Sequence, residues 1–300
     1  MIKLNQIEHQ LGVVVTAAVN VRRNFSNMRT SISTVMLLAF FSMGAQAQTP
    51  YQLSAPMVPF GDATYLNTIS PDNKRVVYTA DQDTDNIEEL YSVSLKGGVV
   101  TKLNSVLPMG FNVKAFLISS DSKYVVYRTR NDSTGKRNLF SVPIQGGAAV
   151  QLNTNNHTYD LSDYRITNDG QRVVYLAYNA TSDAALFSLR ITGGTPVNIT
   201  PSSEINPSLF NLTFFISPDD QRVIFTVRVN GGQPELFSVP VAGGTIVNLN
   251  RPLTTSPSEK VTRFPAISPN SQTVVYAIKN NDASTTELYS TPMVVVRRCV

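Results

Sequence analysis

A ten-residue phrase recurs five times in this 300-residue chain. It reads ISPDNKRVVY from Ile69, ISSDSKYVVY from Ile118, ITNDGQRVVY from Ile166, ISPDDQRVIF from Ile216 and ISPNSQTVVY from Ile267. A period of about 50 residues marks one supersecondary unit repeated along the chain, each unit needing its neighbours to cover its apolar faces. A second phrase follows each anchor: ELYSVSL, NLFSVPI, ALFSLRI, ELFSVPV and ELYSTPM. In the first four copies a Gly-Gly pair comes next, at Gly97, Gly146, Gly193 and Gly243 with the glycine after each, and then VVTKLN, AVQLN, PVNIT or IVNLN.

Each unit reads as four short strands. The first ends at the anchor isoleucine, and Ser-Pro-Asp turns the chain because proline presets φ and aspartate caps nearby backbone. The second, such as RVVYTA, is apolar on both sides, as suits a strand between two layers. The third carries Leu-Phe/Tyr-Ser, and Gly-Gly predicts a two-residue hairpin into the fourth. Strands without helical crossovers pair antiparallel. Four-stranded units at this period predict an all-β fold, a β-propeller of four-stranded antiparallel blades.

The fifth copy lacks Gly-Gly and ends ELYSTPMVVVRRCV, from Glu287 to Val300. Two explanations are compatible. In one, Tyr51 to Leu53 of TPYQLSAPM, which resembles the fourth-strand segments, pairs as the outer strand of the last blade and closes the ring. In the other the reading frame shifts: assumed codons ATG GTG GTG GTG CGG CGG, read two nucleotides later, give Gly-Gly-Gly-Ala-Ala, echoing GGAAV at Gly146 to Val150. The chain would then be truncated from a larger propeller.

The ISPDxxRVVY anchor with its downstream ELYSV phrase resembles the PD40 (WD40-like) repeat of the TolB-type β-propeller family, over about Ala63 to Met293. The resemblance implies a propeller and, by analogy with TolB itself, a non-catalytic docking platform for a protein or envelope component. Similar blades form the propeller domain of prolyl-oligopeptidase-type peptidases, which implies the alternative: such a domain without its catalytic partner, or a propeller hydrolase or lyase. The mature chain enters the repeats within about fifteen residues, with no preceding α/β domain of the kind TolB carries.

Residues 1–47 read as a signal peptide with an extended n-region. TVMLLAFFSMG, Thr34 to Gly44, is too short to span a bilayer, and Ala45-Gln46-Ala47 offers a cleavage site before Gln48. Met28 is an alternative start, and RRNF from Arg22 an alternative twin-arginine signal. An exported, periplasmic or secreted protein follows, with residues 48–300 as a single propeller domain. The formal charge of +4 is concentrated in the leader, where Lys3, Arg22, Arg23 and Arg29 face Glu8 alone. Beyond position 47 the charges nearly balance, so no nucleic-acid partner is expected. No other segment reads as a membrane span. Cys299 is the only cysteine, which excludes an intrachain disulfide.

Catalytic signals are sparse. His157, in NTNNHTYD, is the only histidine after the leader, and no G-x-S-x-G elbow occurs. STGKR at Ser133 to Arg137 lacks the first glycine of a phosphate-binding loop. No catalytic residue is therefore assigned. Asp81, Asp83 and Asp85 alternate in DQDTDNIEE as in half of a calcium loop, but Asn86 and Ser92 stand where that loop requires Gly and Glu. These three are the candidate calcium ligands; no other cofactor is expected. The longest interblade loops carry Leu107, Met109, Phe111, His157, Tyr159, Ile205 and Leu209, the candidate binding residues.

Overall fold

The computed structural model divides the chain into two compact units, Met1–Pro50 and Tyr51–Val300. It describes residues 50–153, 160–178, 184–200, 213–228, 232–253, 259–262, 265–281 and 283–293. The leader at 1–47 and the tail from 294 onward lie outside the described residues. Those described contain strands and turns and no helix.

The strands form successive four-stranded antiparallel sheets, one per sequence repeat. The first holds β1 (Ala63–Ile69), β2 (Arg75–Ala80), β3 (Glu89–Ser94) and β4 (Thr101–Lys102). The second holds β5 (Phe111–Ile118), β6 (Tyr124–Asn131), β7 (Arg137–Pro143) and β8 (Val150–Gln151). The third holds β9 (Asp160–Ile166), β10 (Arg172–Tyr178), β11 (Ala184–Arg190) and β12 (Val197–Asn198). The fourth holds β13 (Thr213–Ile216), β14 (Arg222–Arg228), β15 (Pro234–Pro240) and β16 (Val247–Asn248). In the last sheet β17 (Glu259–Val261) and β18 (Ala266–Ile267) share the first-strand position against β19 (Thr273–Asn280), which pairs with β20 (Thr285–Pro292). Every first strand, or its second piece, ends at its anchor isoleucine as the sequence predicts.

The anchor phrase folds the same way each time. Ser70 Oγ donates to Asp72 Oδ1 at 2.6 Å while accepting from Arg75 N–H at 3.0 Å, and Asp72 Oδ1 also accepts from Lys74 N–H. Asn73, the fifth residue, sits at φ 56°, the left-handed region that Asn tolerates. Ser119 with Asp121, Thr167 with Asp169, Ser217 with Asp219 and Ser268 with Asn270 repeat the first of these bonds. Across each sheet two aromatics stack from opposed register positions, from Tyr78 on Tyr91 at 5.5 Å to Tyr276 on Tyr289 at 5.7 Å.

The core lies between sheets, because both faces of each second strand are apolar. Val77, Leu90 and Leu103 of the first sheet pack on Val113, Val125 and Tyr127 of the second. Val126, Leu139 and Leu152 of the second meet Leu161, Val173 and Tyr175 of the third. Val174, Leu186 and Ile199 pack on Phe214, Val223 and Phe225, and Ile224, Leu236 and Leu249 on Val261, Val274 and Tyr276. The stacked blades of a propeller are built in this way.

Two expectations need correction. Gly-Gly does not make a two-residue hairpin: Tyr91 pairs with Lys102 and Ser92 with Thr101, so the connection is much longer. Gly97 N–H instead closes a turn onto Ser94 O, and Leu95 and Val100 fold back onto the core, which a tight hairpin would forbid. Nor does Tyr51 to Leu53 close a ring. It forms no strand, and Leu53 and Met57 pack on Val76, Tyr78 and Tyr91 of the first sheet, a face that no neighbouring sheet covers among the described residues. Among the described residues no strand pairing joins the last sheet to the first.

Candidate functional site

The first strands place one residue just before each anchor isoleucine: Thr68, Leu117, Arg165, Phe215 and Ala266. Alternation along a strand fixes its orientation, because the residue at the preceding step turns inward. Tyr164 and Phe214 are buried, whereas Leu117 is 40% exposed and Arg165 lies in solvent. Between the second and third sheets these strands border a cleft of ≈ 500 Å³ lined by Leu117, Ile118, Ser120, Asp163, Arg165 and Asn168. Ser120 Oγ donates to Asn168 O across its end, tying the two turns together.

Arg165 is the chemically distinctive group of the cleft. Its guanidinium lies 5.3 Å and 5.5 Å from the ring centroids of Phe214 and Phe215, on the next sheet, and 3.7 Å from Asp163 Oδ2. A guanidinium stacked on rings is held in one plane, leaving outward N–H donors for a carboxylate or backbone carbonyl. With Leu117 alongside, the cleft offers a planar cationic donor set, one carboxylate and an apolar contact. That combination suits recognition of a polypeptide or other polar polymer.

Of the sequence-predicted binding residues, His157, Tyr159, Ile205 and Leu209 lie outside the described residues. Leu107 packs against the core between the first two sheets. Phe111 begins β5 and is half-buried. Met109 is 97% exposed on a firmly held loop: Asn131 Nδ2 donates to Met109 O at 3.3 Å, and Asp132 N–H to Gly110 O at 3.0 Å. The structure brings none of the three described ones, Leu107, Met109 and Phe111, into the cleft.

Asp81 and Asp83 are engaged separately, and Asp85 is exposed. Asp81 accepts the N–H of Asp62 and that of Asn86, and the former bond above all holds its carboxyl below the usual range. Asp83 pairs with Lys102 at 3.2 Å. Lys102 also pairs with the buried Glu89, which in turn accepts from Tyr91 Oη at 3.0 Å. Burial, and then the Glu89 charge, drive the Tyr91 hydroxyl far above the ordinary phenol range. Among the described residues no group of three or more His, Cys, Asp or Glu side chains gathers as a metal site would.

Asp163 and Arg165 did not stand out in the sequence. The signal was the column before the anchor, where Arg165 interrupts otherwise uncharged residues.

No protein-family model matches the chain, and no curated protein matches it. Solved structures do. A protein assigned as dipeptidyl aminopeptidase IV from Bacteroides ovatus is similar with a TM-score of 0.53 at 11% identity, over 76% of this chain and 38% of that one. A TolB from Agrobacterium tumefaciens matches over 75% of this chain and 80% of its own, at 18% identity and a TM-score of 0.41. Prolyl oligopeptidase B from Galerina marginata matches over 78% and 34%, at 14% identity and a TM-score of 0.49. The likeness is one of fold, and the first of these carries it. The chain spans little more than a third of the length of the two peptidases.

Proposed function

We propose that the protein is an exported, non-catalytic β-propeller scaffold that binds a protein or envelope component through the surface where its first strands converge. One observation carries this reading: Leu117, Asp163 and Arg165 stand exposed around a cleft whose walls are rigid, paired strands. The repeat's resemblance to TolB-type propellers supports a docking role in the cell envelope. No helix of the described residues is long and apolar enough to cross a membrane.

The test is cross-linked capture from an envelope fraction with wild-type protein and with Arg165→Ala and Leu117→Asp variants. Wild type retains a discrete partner and both variants lose it. Equal capture by all three removes the cleft from the proposal. Turnover of a peptide or polysaccharide panel by the purified protein would replace a scaffold with an enzyme.

A further inference from the structure

The anchor turns of neighbouring sheets touch, and the fifth anchor residue of one sheet caps backbone N–H groups of the turn before it. Ser122 Oγ accepts from Asp72 N–H at 3.0 Å, and Ser271 Oγ from Asp219 N–H at 3.0 Å. In both of the donating turns the third residue is a proline, Pro71 or Pro218, which has no N–H, so a single acceptor suffices. The third turn carries Asn168 there and offers two consecutive donors. Its capping residue is Asp220, whose carboxylate takes Asn168 N–H and Asp169 N–H at 2.7 Å each, and Asn168 Nδ2 at 3.0 Å. Acceptors match donors at each of these junctions.

The second turn breaks the correspondence. Ser120 in place of proline gives it two consecutive N–H donors, Ser120 and Asp121, yet the residue due to cap them is Gly170, which has no side chain. Among the described residues no group accepts from either N–H. The side chains are used otherwise: Ser120 Oγ donates to Asn168 O, and Asp121 Oδ1 accepts from Ser119 Oγ and from Lys123 N–H. Ser120 and Asp121 are both exposed, and Ser120, Thr167 and Asn168 border the cleft that Arg165 also lines. The charge of Asp121 does not close this notch to an anion. Lys123 Nζ lies 3.3 Å from Asp121 Oδ2, and the equivalent Asp169 already holds the Asp220 carboxylate on its own N–H.

We propose that this notch binds a carboxylate of a docked polypeptide, from an Asp or Glu side chain or from the chain terminus, on the Ser120 and Asp121 N–H groups. Each oxygen takes one N–H, as those of Asp220 do at the next junction, and consecutive backbone N–H groups form anion-binding concavities of this kind. Arg165 and Asp163 bring opposite charges to the same cleft, so selectivity for a carboxylate comes from the two N–H groups. The inference rests on the reading of the cleft as a docking surface and names the chemistry that it takes.

Amide NMR of the isotope-labelled full-length protein reads the site directly. Sodium acetate, titrated against sodium chloride at constant ionic strength, shifts the Ser120 and Asp121 signals saturably, with half-saturation at or below about 0.1 M. The capped Asn168 and Asp169 do not respond. Gly170→Asp supplies an internal carboxylate and removes the response; Gly170 at φ 70° and Asp220 at φ 59° share one backbone conformation. Asp220→Gly extends the response to Asn168 and Asp169. Ser120→Pro deletes one donor, as Pro71, Pro218 and Pro269 do in other anchors, and weakens acetate about tenfold. Circular dichroism of each variant shows the fold intact. Acetylated Leu-Asp-Leu amide and acetylated Leu-Leu with a free terminus separate the two carboxylate sources, and the preferred one binds about tenfold tighter than acetylated Leu-Asn-Leu amide. No saturable acetate response, or one that Gly170→Asp leaves unchanged, overturns the inference. Envelope capture that Arg165→Ala abolishes and Gly170→Asp spares also overturns it, while the docking cleft stands. An acetate response without any captured partner upholds the notch and sinks the docking reading instead.

Discussion

One leucine occupies the same register position in every third strand, Leu90, Leu139, Leu186, Leu236 and Leu288, and alanine there should split into two classes. At Leu90, Leu139, Leu186 and Leu236 the side chain is wholly enclosed between sheets. Removing it forfeits transfer free energy and leaves a cavity, at about 2–5 kcal/mol. Leu288 is 75% exposed, so only a quarter of its surface is shielded. Full burial of a leucine is worth about 1.5–3 kcal/mol, so its truncation costs about 0.5 kcal/mol. Urea titration followed by circular dichroism measures the shift in midpoint at constant slope. Stacked repeats can unfold in stages, so hydrogen exchange on each third strand gives the local counterpart. A Leu288→Ala cost equal to that of Leu186→Ala would show that the last sheet's free face is covered in solution and would refute the reasoning.

Three further outcomes follow from the blade junctions. A Cβ at Gly193 would lie 2.7 Å from Val150 Cγ1 of the preceding sheet, whereas one at Gly97 would meet nothing within 4 Å, although both glycines have positive φ. Gly97→Ala should cost about 1–2 kcal/mol of backbone strain; Gly193→Ala should cost clearly more, and Val150→Ala beside it should recover the excess in a double-mutant cycle of urea midpoints. Ser141 Oγ is buried without a partner because Tyr124 stands where Arg75, Arg172 and Arg222 donate Nε to the equivalent serines. Tyr124→Arg should stabilise by about 0.5–1.5 kcal/mol, read as a higher urea midpoint; a lower midpoint would refute the pairing. The anchor carboxyls of Asp72, Asp121 and Asp219 are held below their ordinary value of 3.8. For Asp72 the Ser70 hydroxyl dominates; for the other two, burial pulls upward and is outweighed by the Ser119 or Ser217 hydroxyl together with backbone N–H groups. A depressed folded-state value contributes stability above about pH 4 that is lost as pH falls through the folded value. Urea midpoints should therefore be level from about pH 5 to 7 and fall below about pH 4, less steeply in Ser217→Ala; midpoints unchanged to pH 2 would contradict it.

What the sequence disclosed and what it withheld divide along a physical line. Strand ends, turn chemistry and blade count depend on local residues, and the Ile-Ser-x-Asp phrase specifies them within ten positions. The Gly-Gly connection is not decided locally, because positive φ at both glycines fits a tight hairpin and a wider turn alike; Leu95 and Val100 decide it by returning to the core. The destination of Tyr51 to Leu53 was beyond local reading for a similar reason. The segment matches a fourth strand in composition, yet Leu53 covers the otherwise bare face of the first sheet. The cleft around Arg165 was hidden because its members come from two sheets and its cation-π contacts from a third strand, Phe214 and Phe215 on β13.

The two ends of the array are thus unequal. At the first sheet Leu53 and Met57 bury Val76, Tyr78 and Tyr91, so that end is capped by apolar packing without added strand pairing. At the last sheet β20 is mostly exposed. Polar groups left in water cost little when unpaired, unlike buried ones, so that strand can stand without a covering layer while the apolar side chains of the last sheet gather on its other face, where Val261, Val274 and Tyr276 meet Ile224, Leu236 and Leu249 of the fourth. Stability of the last sheet should therefore depend on that one junction more than any inner sheet depends on either of its two.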